Sequence, residues 1–155
     1  MSSFTTPLEV EFMDGHSWKL HSAFTYHLGE PNAPDFIEVP VGFITDFASI
    51  PRILWVLLPP TGPYGKAAVI HDWLYQGGKV ISEYPVMDKE GGAIFVRQSH
   101  YMLAGRRDAD AVLLEAMGVL GVHWWTKFVI YAGVRIGGKL PWINGHRQPK
   151  QAVML

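Results

Sequence analysis

The amino-acid sequence predicts an α+β fold, in which an N-terminal antiparallel β-meander packs on two or three helices. Two observations support this class. Between residues 8 and 43, apolar and polar side chains alternate with the period of two that is typical of half-buried strands. Within residues 65–75, 108–120 and 123–136, apolar side chains recur at the three- and four-residue spacing of helices.

The length and composition fit one folded domain. The chain has 155 residues, of which 48% are hydrophobic and 17% are charged, so it can bury a substantial core. We expect a single α+β domain over residues 1–138 and an extended C-terminal tail over residues 139–155. Trp142 lies in that tail, and we expect it to dock on this chain or on a neighbour.

The charge balance and the cysteine count exclude several functional classes. The net charge is −1, with 13 basic and 14 acidic residues, which gives no electrostatic case for nucleic acid or for an anionic membrane as a partner. No cysteine is present, which excludes disulfides, thiolate zinc sites and a cysteine nucleophile. The N-terminus predicts no signal peptide, and the apolar stretch 122–136 is too short and too charged to span a bilayer.

Three runs of alternating residues predict the strands of the meander, at residues 8–12, 18–28 and 37–43. Pro40 interrupts the third run, and a proline inside a strand pattern favours an edge position in the sheet. A ribbon or long loop is expected over residues 80–96, with its turn at the Gly- and Asp-containing stretch 88–92.

The three helical segments differ in how clearly their ends are marked. A central helix should begin near Gly65 and end before Gly77. The second helix begins near Ser99 or near Arg106, because Gly105 interrupts its pattern. The last helix, over residues 123–136, is apolar nearly all round, which is typical of a helix that is deeply buried or shared with a partner.

The central helix carries the polar groups that most need an explanation. His71 and Tyr75 are one helical turn apart at the edge of an apolar stripe, with Asp72 further round. Asp110 lies near the apolar seam of the second helix, where a hydrogen bond to His71 is geometrically reasonable. A histidine oriented by a carboxylate can act as a general base. A buried network that only fixes helix packing would use the same contacts.

A polar loop at residues 45–52 supplies the second set of candidate residues. Asp46 and Ser49 can cap the segment that follows, and Arg52 can pair with Asp46 or with Asp72. Ser49 lacks the Gly-flanked elbow of a serine nucleophile. Asp72 can also hold a hard cation or a positively charged partner.

Four motifs together resemble a phage and prophage family, domain of unknown function 1353. They are TDFASIPR at 45–52, HDWLY at 71–75, DAD at 108–110 and EAMG at 115–118. The resemblance covers roughly residues 39–138 and implies a small phage-encoded protein, often met among tail and lysis genes, with no settled activity. The motif positions that carry over are Asp46, Ser49, Pro51, Arg52, His71, Asp72, Tyr75 and Asp110.

A looser resemblance links the same helices to secreted calcium-dependent phospholipases. It implies that His71 is the base, that Asp72 binds calcium and that Asp110 orients His71. The chain lacks the cysteines of that family and has no glycine-rich calcium loop before the helix.

Two functional hypotheses follow. The first is a virion or tail-associated protein that acts by assembly with other phage structural proteins or with itself, located in the virion or in the host cytoplasm. The second is a small hydrolase of the host envelope, acting on lipid or peptidoglycan. In that hydrolase the catalytic residues are His71 as base, Asp110 as its orienter, and Tyr75. Asp72 or Asp46 is a ligand of a cation or of the substrate, and Ser49 and Arg52 are the other candidate binding residues. No cofactor is expected, and calcium at Asp72 is the metal that the second resemblance implies.

Overall fold

The computed structural model describes most of the chain, namely residues 4, 6–13, 17–46, 62–100, 105–139 and 142–144. These residues form strands β1 (Val10–Phe12), β2 (Trp18–Leu20), β3 (Phe24–His27), β4 (Asp35–Val39), β5 (Ile44–Thr45), β6 (Val80–Met87) and β7 (Ala93–His100), and helices α1 (Gly65–Tyr75), α2 (Arg106–Val119) and α3 (Trp124–Gly137). The predicted α+β class is confirmed: the N-terminal strands are antiparallel and the helices follow them.

The strands form two antiparallel sheets rather than one meander, with the orders β1-β2-β5 and β3-β4-β6-β7. The run at 18–28 divides between them, because a bend at His21 and Ser22 turns the chain out of the first sheet. Alternation continues across the bend: Leu20, Phe24 and Tyr26 are all buried. The periodicity therefore gave no sign of the division.

The edge position predicted from Pro40 is wrong. Strand β4 lies inside its sheet, between β3 and β6. Pro40 directly follows Val39, the last residue of β4, so its missing N–H removes no hydrogen bond from the ladder. Its carbonyl instead accepts a bond of 3.3 Å from the amide of Phe43 in a turn.

The predicted ribbon is present as the β6–β7 hairpin. Strand β6 pairs with β4 only through residues 80–82, whereas it pairs with β7 from Val80 to Met87. At the turn, Asp88 Oδ1 accepts hydrogen bonds from the amides of Glu90 and Gly92. Beyond Ser82, a two-stranded ribbon therefore extends past the end of β4.

Helix α1 is the centre of the fold. It is buried on nearly all sides, and it contacts α2 as well as β4 and β5 of the two sheets. Its bounds agree with those predicted, and α2 begins at Arg106 while Ser99 belongs to β7. Because α1 is buried on nearly all sides, its polar side chains need hydrogen-bond partners on other elements.

Helix α3 spans the predicted residues but presents little of its apolar surface to the core. It packs against α2, and of its side chains only Ile130 and Val134 are fully buried. Trp142, in a short helical turn at 142–144, packs back onto the core of this chain. No helix within the described ranges is both long and apolar enough to cross a membrane.

Candidate functional site

His71, Tyr75 and Asp110 meet where α1 packs on α2. His71 Nε2 lies 2.8 Å from Asp110 Oδ1, and the Tyr75 hydroxyl donates a bond of 2.6 Å to the same oxygen. The His71 and Tyr75 rings, one turn apart on α1, also contact each other, with centroids 4.1 Å apart and planes tilted by 40°. The predicted contact between His71 and Asp110 is thus confirmed, and their exposures are 2% and 0%.

A third donor reaches Asp110 from α3. Arg135 Nη1 donates a bond of 2.8 Å to Asp110 Oδ2, so both carboxylate oxygens are bound. Burial alone would raise the pKa of Asp110, but the hydrogen bonds from His71, Tyr75 and Arg135 outweigh it and hold this pKa below its ordinary value. Asp110 is therefore a fixed negative charge at neutral pH.

A second layer of contacts holds Tyr75 in place. The Trp142 ring meets the Tyr75 ring edge-on, with centroids 5.1 Å apart. Arg106 Nη1 donates to the carbonyl oxygens of Val134 and Arg135 at 3.3 and 3.1 Å, and so satisfies the end of α3. The start of α2, the end of α3 and the residues after it together enclose the phenol.

Asp72 belongs to a different part of the network. It is 7% exposed, and its Oδ2 accepts a hydrogen bond from the hydroxyl of the buried Thr45 in β5. Asp46, the next residue, is exposed. The other candidates of that loop, Ser49 and Arg52, lie outside the described residues, so the predicted capping and pairing roles are not placed.

Calcium at Asp72 would need several further oxygen ligands. Calcium takes six to eight oxygen ligands, usually with several carboxylates. Within the part of the chain that the structure describes, no group of three His, Cys, Asp or Glu side chains could hold a metal ion. We therefore derive no chemical step through a metal.

The geometry fixes the chemical role that His71 can take. An ionised carboxylate only accepts hydrogen bonds, so His71 donates its Nε2–H to Asp110. A neutral imidazole with this donor carries its lone pair on Nδ1. Proton transfer at Nδ1, with Asp110 stabilising the imidazolium, is the chemistry of an oriented general base.

The sequence pattern predicted the centre of this network but not its outer members. Arg135 could have been suspected, because a cation in an otherwise apolar helix needs a partner when it is partly buried. Nothing in the pattern around Thr45 indicated that its hydroxyl binds Asp72. Both contacts depend on how separate elements pack, which periodicity within one element does not reveal.

Comparison with known proteins identifies a family but no activity. A family model described as "Protein of unknown function (DUF1353)" matches residues 18–134. No curated protein matches the chain, and no solved structure matches it. Because the family model covers well over half of the sequence, the chain belongs to this family of proteins of unknown function, DUF1353.

Proposed function

We propose that this protein is a small phage-encoded hydrolase of the host cell envelope, with lipid or peptidoglycan as its substrate. The observation that supports the proposal is the pairing of His71 with Asp110 at 2.8 Å. Asp110 binds three donors while it is completely buried, so the Nε2 side of the imidazole is held against a fixed carboxylate. An imidazole fixed in this way is suited to general-base catalysis.

The proposed reaction is hydrolysis of an ester or an amide. His71 Nδ1 takes a proton from water, and the oxygen of that water attacks the carbonyl carbon of the substrate. The bond from this carbon to the leaving oxygen or nitrogen breaks, and the leaving group takes the proton from the imidazolium. Asp110 stabilises the imidazolium and keeps its own charge throughout.

Tyr75 and Arg135 act through Asp110 in this scheme, and we assign them as positioning residues. Each donates a hydrogen bond to the carboxylate that holds His71. His71 is 2% exposed, so a substrate can reach Nδ1 only when the structure around it opens. Binding of the substrate would therefore be coupled to a local opening of the site.

The test compares the wild-type protein with His71→Gln on envelope phospholipids and on purified peptidoglycan. Glutamine can still donate a hydrogen bond to Asp110 but cannot act as a base, so we expect turnover to fall by a factor of about 100 or more. The thermal midpoint should change little. A wild-type protein that cleaves neither substrate, with a midpoint that drops strongly in His71→Gln, would assign the network to helix packing alone.

A second candidate function is assembly with other proteins of a phage particle, and the β6–β7 ribbon favours it. The ribbon extends beyond the sheet with exposed apolar side chains, and β7 is the outermost of the described strands on that side of the sheet. An isolated two-stranded ribbon is only marginally stable, and an apolar edge strand readily pairs with another chain. The exposed apolar side chains of the ribbon are Tyr84, Val86, Met87, Ile94 and Phe95.

The protein content of purified phage particles tests the assembly function. The wild-type protein should be present in them, and Met87→Ser/Phe95→Ser should be lost from the particles while remaining folded on its own. Equal incorporation of this variant, or absence of the wild-type protein from the particles, would contradict the assembly function.

A further inference from the structure

Helix α3 has an apolar outer face, which we define as Trp124, Trp125, Phe128 and Ile136. Their exposed fractions are 71, 48, 66 and 85%. At 3.6 residues per turn, these positions fall within an arc of about 120°. They lie away from the side that Ile130 and Val134 bury against the rest of the protein. Several large exposed apolar side chains on one side of a helix mark a candidate interaction site.

The sequence from α3 onward is one-sided in charge, although the net charge of the whole chain is only −1. All 14 acidic residues lie at or before Glu115, so α3 and everything after it contain none. Basic residues are present throughout that part: Lys127, Arg135, Lys139, Arg147 and Lys150. Among them, Lys139 is exposed at the end of α3 and Lys127 is half-buried within it. The small net charge therefore conceals a cationic C-terminal region.

We propose that the α3 outer face docks on an anionic phospholipid bilayer. Helices that lie in a membrane interface combine Trp and Phe on the inserted side with basic residues around it. Trp also favours the headgroup region, where its ring is buried and its N–H stays hydrated. The absence of acidic residues after Glu115 complements an anionic surface, because α3 itself carries no group that repels the headgroups. The observed composition matches this partner in both respects.

Docking of α3 on a bilayer would make phospholipid, rather than peptidoglycan, the substrate class of the proposed hydrolase. Only this part of the inference rests on the proposed function. Docking by α3 would bring the site to the lipid, because Arg135 of the same helix binds Asp110. The binding itself requires no turnover. Binding and hydrolysis can therefore fail separately.

Vesicle co-sedimentation tests the docking surface, with phosphatidylcholine vesicles and with vesicles that also contain phosphatidylglycerol. We expect clear binding only to the anionic vesicles, and binding that weakens as salt is added. Trp124→Ser/Phe128→Ser should bind about tenfold more weakly or worse, since two large apolar side chains no longer insert. Each of Lys127→Gln and Lys139→Gln should weaken binding by about fivefold.

Met87→Ser/Phe95→Ser is the matched control, because it removes two similarly exposed apolar side chains from the ribbon. It should bind anionic vesicles as the wild-type protein does. Equal binding to both vesicle types, or unchanged binding of the α3 variant, would overturn the proposal. So would a wild-type protein that binds no vesicles but forms a dimer that Trp124→Ser/Phe128→Ser dissociates, since the face would then be a protein interface.

A water-soluble ester separates this inference from the proposed function. His71→Gln should bind anionic vesicles normally while it loses hydrolysis of lipid and of the soluble ester. A wild-type protein that cleaves the soluble ester but binds no vesicle would overturn the docking surface and leave the hydrolase intact. Vesicle binding without cleavage of either substrate would overturn the proposed hydrolase and leave the docking surface intact.

Discussion

The Tyr75 hydroxyl donates a 2.6 Å hydrogen bond to Asp110, which lies 35 positions further along the chain. This bond joins α1 to α2 inside the core, next to the bond from His71. Burial raises the pKa of Tyr75, and the bond to Asp110 raises it further, so the phenol stays protonated over the whole physiological range. Tyr75 is therefore a permanent donor to the carboxylate that orients His71.

Tyr75→Phe should remove this bond and leave the packing of the ring unchanged. Hydrogen bonds to charged groups contribute roughly 1.5–3 kcal/mol, so we expect the free energy of unfolding in urea to fall by about that amount. Tyr84→Phe is the control, because its hydroxyl bonds to Gln98 on the exposed ribbon at 3.0 Å. Equal, small losses in the two variants would show that the Tyr75 bond does not stabilise the fold.

Asp110→Asn tests the charge of the network through the pH dependence of stability. The pKa of Asp110 is lowered in the folded protein, so its ionised form stabilises the fold above the unfolded-state pKa of about 3.9. That stabilisation is lost as the pH falls from there through the folded-state pKa. The difference in unfolding free energy between wild type and variant should be about 2 kcal/mol at pH 7 and should shrink below pH 4.

Asp108→Asn is the matched control for this measurement, because Asp108 lies in the first turn of the same helix. At pH 7, Asp108→Asn should lower the free energy of unfolding by about 0.3–1 kcal/mol, the usual contribution of an acidic residue at a helix N-terminus. A stability difference for Asp110→Asn that grows as the pH falls below 4 would contradict the lowered pKa.

The contrast between Asp110 and Arg135 explains how much of the site the sequence could predict. Polar residues at the edge of an apolar stripe need hydrogen-bond partners. Asp110 lies beside the apolar stripe of α2, where this helix would meet α1, so it was the candidate partner of His71. Arg135 binds the other carboxylate oxygen because α3 packs on α2, and no pattern within α3 encodes that packing. Elements were thus more predictable than the contacts between them.

The same limit applies to the fold. The bounds of α1 and α3 followed from local periodicity and glycine punctuation. The division of residues 18–28 between two sheets did not, because a bend of the chain leaves the period of two intact. Pro40 was misleading for a related reason, since its effect depends on whether it lies within the strand or just beyond it.

Gly138→Ala should disturb the site through a steric contact. A Cβ at this position would lie 2.5 Å from the Tyr75 hydroxyl and 2.5 Å from the Val134 carbonyl oxygen, so either Tyr75 or the end of α3 must move. Overpacking of this kind typically costs about 1–3 kcal/mol, measurable by urea unfolding. Gly137→Ala is the control, because a Cβ there meets nothing within 4 Å among the described residues. Similar stabilities of the two variants would contradict the close packing of Tyr75 on Gly138.

Glu115 joins the four-stranded sheet to α2, and a double-mutant cycle should measure its coupling to Tyr26. Its Oε1 accepts 2.7 Å bonds from the Tyr26 hydroxyl and from the Gly29 amide. Glu115→Ala leaves the fully buried Tyr26 without this acceptor, so the free energy of unfolding in urea should fall by about 1–3 kcal/mol. Tyr26→Phe in the Glu115→Ala background should recover part of that loss, because the unsatisfied hydroxyl is gone. The two changes should therefore be non-additive by at least about 0.5 kcal/mol; strictly additive losses would mean that the bond contributes nothing to the docking of the sheet on α2.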